Sequence, residues 1–475
     1  MSETYASPFA ERYSTPEMLR LFSADHKFRT WRRLWIALAE AERALGLPIS
    51  PAQIREMKAH ADDIDYAAAR KYEERLKHDV MAHVRAYGDQ CPKARGIIHL
   101  GATSMYVVDN TDCVIAREAL ALVRREIVNV IAALAAFAKR YADLPTVAYT
   151  HFQPAQFTTV GRRACLWLQD LLLDLEEVEQ REASLRFLGA KGATGTQASF
   201  LELFEGEHAK VRDLDRRVAR AMGFERTWPV TGQTYTRKAD AQIAATLAGI
   251  AQSAHKFASD LRLLQHHGEV QEPFEDEQVG SSAMAYKRNP MKSERMTSLA
   301  RLVITLSQNA AFTAASQWFE RTLDDSAGKR IGIPESFLGT DAILALWHDV
   351  ASRPVVNRDL VRANVEKQLP FIATENILMA AVKAGGDRQV LHERIRRHSL
   401  AAADAAKAGG GNDLIERLRN DDAFRALRGR LASLGKASRY VGRAPEQTRE
   451  FLEGEVAHVL RERRKLLGWK ATVKV

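Results

Sequence analysis

One apolar seam constrains this chain more than any other feature. Ile243, Leu247, Ile250, Ala254, Phe257, Leu261 and Leu264 alternate steps of four and three. That spacing puts all seven side chains on one side of a helix. A second seam runs through Met296, Leu299, Val303, Leu306, Ala310 and Thr313. From about Asn110 to Tyr141 helix breakers are nearly absent, and Ile127 to Ala138 is apolar almost all round. A helix of that kind is enclosed by other helices. Arg163 to Glu182 is strongly helical as well. Strand-like alternation is absent over any useful length. The expected fold class is therefore all-α, built on a central bundle of long helices. Helices this long present apolar sides that a monomer leaves open. The seams at 243–264 and 296–313 are expected to be buried between copies of the chain, making a homo-oligomer.

The N-terminal part predicts shorter helices. Residues 17–46 read as one helix, stopped at Gly46 and Pro48. Pro51 to about His60 reads as a second, and Tyr66 towards Tyr87 as a third. The third carries Lys77, His78 and Asp79 in a row, where His78 either binds an anion, tuned by Asp79, or is structural. Gly96 to Asp112 places His99, Thr103 and Ser104 beside two glycines. Those hydroxyls either meet a carboxylate or phosphate or precede a helix capped by Asp109, Asn110 or Thr111.

Composition excludes several classes. The chain has 475 residues, three cysteines without a CxxC, and no HExxH, GxGxxG or Walker A motif. A disulfide framework, a metal site and a bound cofactor have no sequence support. The N-terminus lacks the apolar stretch of a signal peptide, and no apolar run reaches the ~20 residues that cross a bilayer. A cytoplasmic location and no membrane partner are expected. The net charge of +9 suits small anions or nucleic acid and does not choose between them.

Three loops interrupt the long helices. Thr150 to Gln156 reads THFQPAQ and sets His151 where an imidazole can meet a ligand. Gly189 to Ser199 is rich in glycine and threonine, like an anion nest. Gly280 to Glu294 reads GSSAMAYKRNPMKSE. It carries hydroxyls and two adjacent cations, and Pro290 suits a helix start. Such a loop suits an anionic substrate and can close over it. The last residues, RERRKLLGWKATVKV, read as a short surface helix with a frayed end.

Taken together, THFQPAQ at 150–156, GATGTQASF at 192–200, TGQTYTRK at 231–238, GSSAMAYKRNP at 280–290 and QWFERTLDDSAGKR at 317–330 form a constellation. It resembles the fumarase/aspartase superfamily and, within it, the adenylosuccinate lyase family, in the branch that includes the animal enzymes. KFRTWRRLW at 27–35, RLKHDVMAHV at 75–84, ATENILMA at 373–380 and GGNDLIERL at 410–418 also match that branch. The resemblance covers nearly the whole chain.

The resemblance implies a three-domain fold: 1–111, a central bundle at 112–364 with the catalytic loop, and 365–475. It implies a crossover at Asn357 to Leu369 that Pro370 breaks. It implies a cofactor-independent β-elimination of fumarate from two purine nucleotides, in a homotetramer whose sites are shared between subunits, with no nucleic-acid partner. Matched positions give Ser281 as base, His151 as acid, Lys287 as the local cation, and His78 as a second functional histidine near the nucleotide phosphate. Arg12, Tyr13, Arg321, Ser326 and Arg330 match nucleotide-binding positions. Thr103, Ser104, Gln233 and Arg295 match further substrate contacts, and Lys77, Asp79, Thr150 and Asn289 complete the expected site. Two residues depart from the pattern. Ala285 stands where the motif usually has proline, freeing the open loop. Lys77 stands where close relatives have arginine, keeping the charge without the fork. Another lyase of the superfamily, acting on argininosuccinate or fumarate, is separated by the phosphate-binding candidates Arg321, Ser326 and Arg330. A helical RNA-binding scaffold has no need of Ser281, Lys287 and His151 in loops.

Overall fold

The computed structural model describes residues 4–431, 435–471 and 473. Its centre is a bundle of five long helices: Ser104–Arg140, Val160–Ser184, Lys238–His266, Met291–Ser316 and Asp325–Ser352. All seven residues of the first seam are buried in the chain's own core. Phe257 meets Trp167 edge-on and stacks on Trp347, each with ring centroids 5.0 Å apart. Trp167 turns its Nε1–H to Asp260 at 2.8 Å. Burial of each large side chain contributes about 1.5–3 kcal/mol. The expectation that this seam lies between copies is therefore corrected: the bundle is wide enough to close it within one chain.

The second seam divides. Met296, Leu299 and Val303 are buried, whereas Leu306, Ala310 and Thr313 are half-buried. Beside them Phe312 is 73 % exposed, and Trp318, Phe319, Leu323 and Ile331 are also exposed. Exposed apolar side chains thus gather on the second half of the Met291–Ser316 helix, the turn after it and the start of the Asp325–Ser352 helix.

Several boundaries differ from expectation, each for a local reason. The helix expected at 17–46 is two, Pro16–Leu21 and Ala24–Ala44, because Ser23 caps the second by accepting the N–H of His26. The helix expected from Tyr66 towards Tyr87 breaks at Lys77, whose φ of 52° is left-handed. His78 then caps the Asp79–Gln90 helix through its ring, which accepts the N–H of Met81. The first long helix of the bundle begins at Ser104, not near 110. Asp109, Asn110 and Thr111 are buried inside it rather than capping it. Pro370 does not break the Arg358–Ile372 helix but lies within its last turn, so the helix runs past the expected end at Leu369.

Strands are present as well. Pro145–Thr150 and Gln153–Thr159 pair antiparallel with a bulge between Ala148 and Tyr149. The segment THFQPAQ is the turn of that hairpin, with His151 and Phe152 both at positive φ. A second, minimal pair joins Val270–Gln271 to Val355–Val356.

The buried apolar residues fall into clusters. One fills the bundle and another the N-terminal region around Trp31, Trp35, Tyr87 and Phe187. The Ser104–Arg140 helix passes from the second to the first between Val114 and Ala116. A third cluster runs from Ala373 to Leu431. Leu466 to Trp469 of the C-terminal stretch are docked rather than frayed. Asn129 accepts the N–H of Gly468 and donates to the carbonyl of Leu466, and Trp469 packs on His348. Residues 472, 474 and 475 of that tail, and 432–434 of the stretch at 429–442, lie outside the described residues. Among the described residues no helix is long and apolar enough to cross a membrane.

Candidate active site

A cavity of about 650 Å³ opens where the N-terminal region meets the bundle. Its polar wall holds His78, Asp79, Thr103, Ser104, Gln233, Arg321, Ser326 and Arg330, eight of the residues singled out from sequence. The helix starts do the positioning. His78 Nδ1 accepts the N–H of Met81 at 3.3 Å, so the neutral ring carries its proton on Nε2. That atom lies 3.3 Å from Ser104 Oγ, at the start of the next long helix. Asp79 does not hydrogen-bond the ring, its Oδ1 being 3.9 Å away. Its other oxygen faces Arg330 at 3.5 Å. Arg321 donates to Gln233 Oε1 at 2.7 Å, and its other terminal nitrogen lies 3.9 Å from Asp325.

Beneath this wall lies a buried ionic lattice that sequence reasoning missed. Arg237 donates to both oxygens of Asp109, at 3.0 and 3.1 Å, and to Asp325 at 2.7 Å. Lys329 reaches Asp112 at 2.9 Å and donates to Tyr235 Oη at 2.8 Å. Tyr235 donates in turn to Asp240 at 2.6 Å. Burial pushes Asp109 up, but Lys329 and Arg237 outweigh it and hold its carboxyl below the ordinary range. Lys329 is held above its ordinary value: burial opposes its charge, and so does Arg237, but Asp112, Asp240 and Asp109 prevail. The lattice joins the helices that start at Ser104, Lys238 and Asp325, and so fixes the frame that carries Ser104, Ser326 and Arg330. Its interior is filled by the two cations. Among the described residues no cluster has metal-holding geometry. Lys27, also unforeseen, lines the cavity. Burial and Arg330 lower its pKa.

The remaining expected residues stand elsewhere. Arg12, Tyr13 and Arg295 line a separate small cavity with Val473, the Arg295 guanidinium lying 5.5 Å from the Tyr13 ring. Thr15 fixes that segment through Asp341, which accepts its N–H at 2.6 Å and its hydroxyl at 2.7 Å. Thr150 and His151 are exposed at the hairpin tip, and Lys77 is exposed at its helix end. Tyr149 stacks on His267 at 5.4 Å, and buried Glu269 accepts from Thr146 at the hairpin base.

Ser281, Lys287 and Asn289 sit in the irregular stretch between Gln271 and Met291. Ser281 Oγ accepts the N–H of Met284 at 3.1 Å, and Asn289 donates to the carbonyl of Gly280 at 2.7 Å. A Cβ on Gly280 would lie 2.1 Å from the Lys287 carbonyl oxygen, so only glycine lets the loop cross itself here. None of His151, Ser281, Lys287 and Asn289 lines the large cavity. One chain thus carries an anion pocket, an imidazole on a hairpin and a hydroxyl loop as separate parts.

Comparison with known proteins decides the family. Residues 49–305 match the model described as Lyase, and residues 370–451 match Adenylosuccinate lyase C-terminus. The adenylosuccinate lyase of Saccharomyces cerevisiae is 48 % identical over 470 residues, 98 % of each chain. That of Schistosoma mansoni is 44 % identical, covering 100 % of this chain and 99 % of its own. This chain belongs to the adenylosuccinate lyase family. The fold agrees with the wider superfamily. A fumarate lyase from Mesorhizobium sp. BNC1 superposes with a TM-score of 0.81 at 25 % identity, covering 95 % of this chain and 100 % of that one. A 3-carboxy-cis,cis-muconate lactonizing enzyme from Pseudomonas putida gives the same TM-score at 22 % identity, covering 97 % and 99 %, and speaks for the fold alone. The two residues expected to depart from the family pattern are both exposed: Ala285 in the loop and Lys77 at its helix end. Neither changes a buried contact of the cavity.

Proposed function

We propose that this chain is a C–N lyase that eliminates fumarate from adenylosuccinate, giving AMP, and from succinylaminoimidazole carboxamide ribotide, in purine nucleotide synthesis. The observation that carries the reading is near-full-length identity to adenylosuccinate lyases, joined to a cavity wall that combines Arg321, Ser326 and Arg330 with His78 and Ser104.

The chemistry places demands on each group. A base removes the proton beside one succinyl carboxylate, and the electrons build an aci-carboxylate whose stabilisation is the main catalytic task. An acid then protonates the departing nitrogen as the C–N bond breaks and fumarate forms. Ser281 takes the base role, with Lys287 and Asn289 beside it to stabilise alkoxide and carboxylate charge. His151 takes the acid role. His78 and Arg330 hold the nucleotide phosphate side, with Lys77 and Asp79 at its edge. Arg12, Tyr13 and Arg295 supply a second cationic patch, while Thr103, Ser104, Thr150 and Gln233 hydrogen-bond the substrate.

These parts are separate in one chain, and the open apolar surface from Phe312 to Ile331 offers a face for further copies. The reading is therefore a homotetramer whose sites combine parts from several subunits. It also treats the chain as three domains, 1–111, 112–364 and 365–475; the cluster from Ala373 to Leu431 lies within the third, while the other two clusters cross the boundaries, one taking in Phe187 to Tyr235 and the other Phe9, Met18 and Val456. The test is fumarate release, followed by ultraviolet absorbance. Turnover of both purine substrates and none of argininosuccinate is expected. Equal turnover of argininosuccinate overturns the specificity.

A further inference from the structure

The loop that carries Ser281 starts and ends on one carboxylate. Glu272 is 3 % exposed. Its Oε1 accepts the backbone N–H of Lys292 at 2.9 Å. Its Oε2 accepts the backbone N–H of Ser293 at 2.9 Å and the Ser293 hydroxyl at 2.8 Å. Both amides belong to the first turn of the Met291–Ser316 helix, whose N-cap is Pro290 and has no side-chain acceptor. Glu272 therefore does from outside the helix what an N-cap oxygen does from within, and its charge suits that end of the dipole. A second tie runs alongside. Gln265 donates to the carbonyl of Arg288 at 2.9 Å and accepts the N–H of Glu272 at 3.3 Å. The elimination makes no direct use of any of these groups.

We propose that Glu272 is a positioning residue for the elimination: it closes the neck of the 273–291 loop and fixes the helix start behind it. Ser281 and Lys287 in front of the neck, and Arg295 one turn behind it, are then presented from one frame. The inference rests on the reading of Ser281 as base. It adds a residue that touches no substrate and acts through the loop it ties. Charge-assisted bonds at a buried site hold such a frame more firmly than the loop's own exposed contacts do.

The test uses the intact oligomer and the variant Glu272→Gln. The amide keeps the volume, but its NH₂ must face either the Lys292 N–H or the Ser293 donors, donor against donor. Hydrogen exchange, read by mass spectrometry on peptides spanning 288–296, is expected to quicken about tenfold or more. Well below the unfolding temperature, kcat is expected to fall about tenfold while KM for adenylosuccinate moves less than about threefold. Ser293→Ala removes one bond to the same oxygen and keeps the fold testable if Glu272→Gln does not assemble. It should move both readouts the same way by less, and the double variant should fall short of the product of the two singles. That pattern supports the proposal. Native exchange in Glu272→Gln, or faster exchange with native kcat, overturns it. Full activity in Ser281→Ala is a different failure: it removes the base assignment, while the exchange result still decides the neck.

Discussion

Arg237→Met tests the ionic lattice beneath the cavity. The substitution keeps an unbranched side chain of similar reach and removes the charge. It takes three close hydrogen bonds from Asp109 and Asp325, both nearly inaccessible to solvent. Lys329 is then the only lattice cation within 4 Å of Asp109, at 3.5 Å. Removing one partner of a buried ion pair costs about 3–5 kcal/mol, because the other charge stays buried. For 475 residues, an unfolding entropy of ~2.1 cal/mol/K per residue converts that into a Tm lowered by about 3–5 °C. Scans at matched rates compare the two proteins if unfolding is irreversible. The pH dependence separates charge from packing. Against burial, Lys329 and Arg237 hold the Asp109 carboxyl below its ordinary value in the native protein, so its contribution is present above the unfolded pKa and is lost as pH falls through the carboxylate range. With Arg237 gone that lowering weakens and the contribution shrinks. The deficit in Tm should therefore be largest at neutral pH and diminish as pH falls below the ordinary carboxylate pKa of about 4. A variant with wild-type Tm, or with a deficit that does not depend on pH, refutes the account of the lattice.

Three further outcomes follow from named contacts. Burial, followed by Arg32 and Lys27, pushes His83 down to about 4, so its contribution is present above pH 6.5 and is lost as pH falls towards 4. His83→Phe keeps the stack on Phe28 and should flatten the fall of Tm over that range; an unchanged slope contradicts it. Ala285→Pro should restrict the open loop by about 0.4–1 kcal/mol and raise kcat/KM about two- to fivefold, whereas a loss of activity would mean that the loop needs the freedom alanine gives. Ser281→Ala and His151→Ala should each lower turnover at least about a hundredfold, and only the histidine variant should keep exchange of the succinyl Cβ proton with solvent. The reverse pattern makes the histidine the base.

How much of this was legible depends on the range of the interaction. The long helices follow from periodicity, because seams such as Ile243 to Leu264 repeat within one element. The Ser281 loop follows from Gly280, the serines and Pro290. The break at Lys77 has no Gly or Pro to announce it; a ring nitrogen of His78 does the capping. The hairpin at 145–159 escaped because each strand carries a proline and threonines in place of a clean alternation. Asp109 looks like a helix-cap candidate, and Asp112 carries no signal at all, until Arg237 and Lys329, more than a hundred residues away in sequence, fold onto them. No local pattern encodes such a pairing. The motif residues were individually visible, yet their division into a cavity wall, a hairpin tip and a loop is a property of the fold. The position of the open apolar surface also needed the structure, since the seam at 243–264 is closed within the chain.

Mixing two inactive variants measures the central claim most directly. His151→Ala and Ser281→Ala subunits, unfolded or dissociated together in equal amounts and reassembled, form hybrids. If every site takes its histidine and its serine from different chains, about one quarter of the sites receive both intact. Activity near a quarter of the wild-type value is the predicted result. Hybrids shown by mass spectrometry to be well mixed, yet no more active than either parent, would contradict sites assembled from separate chains.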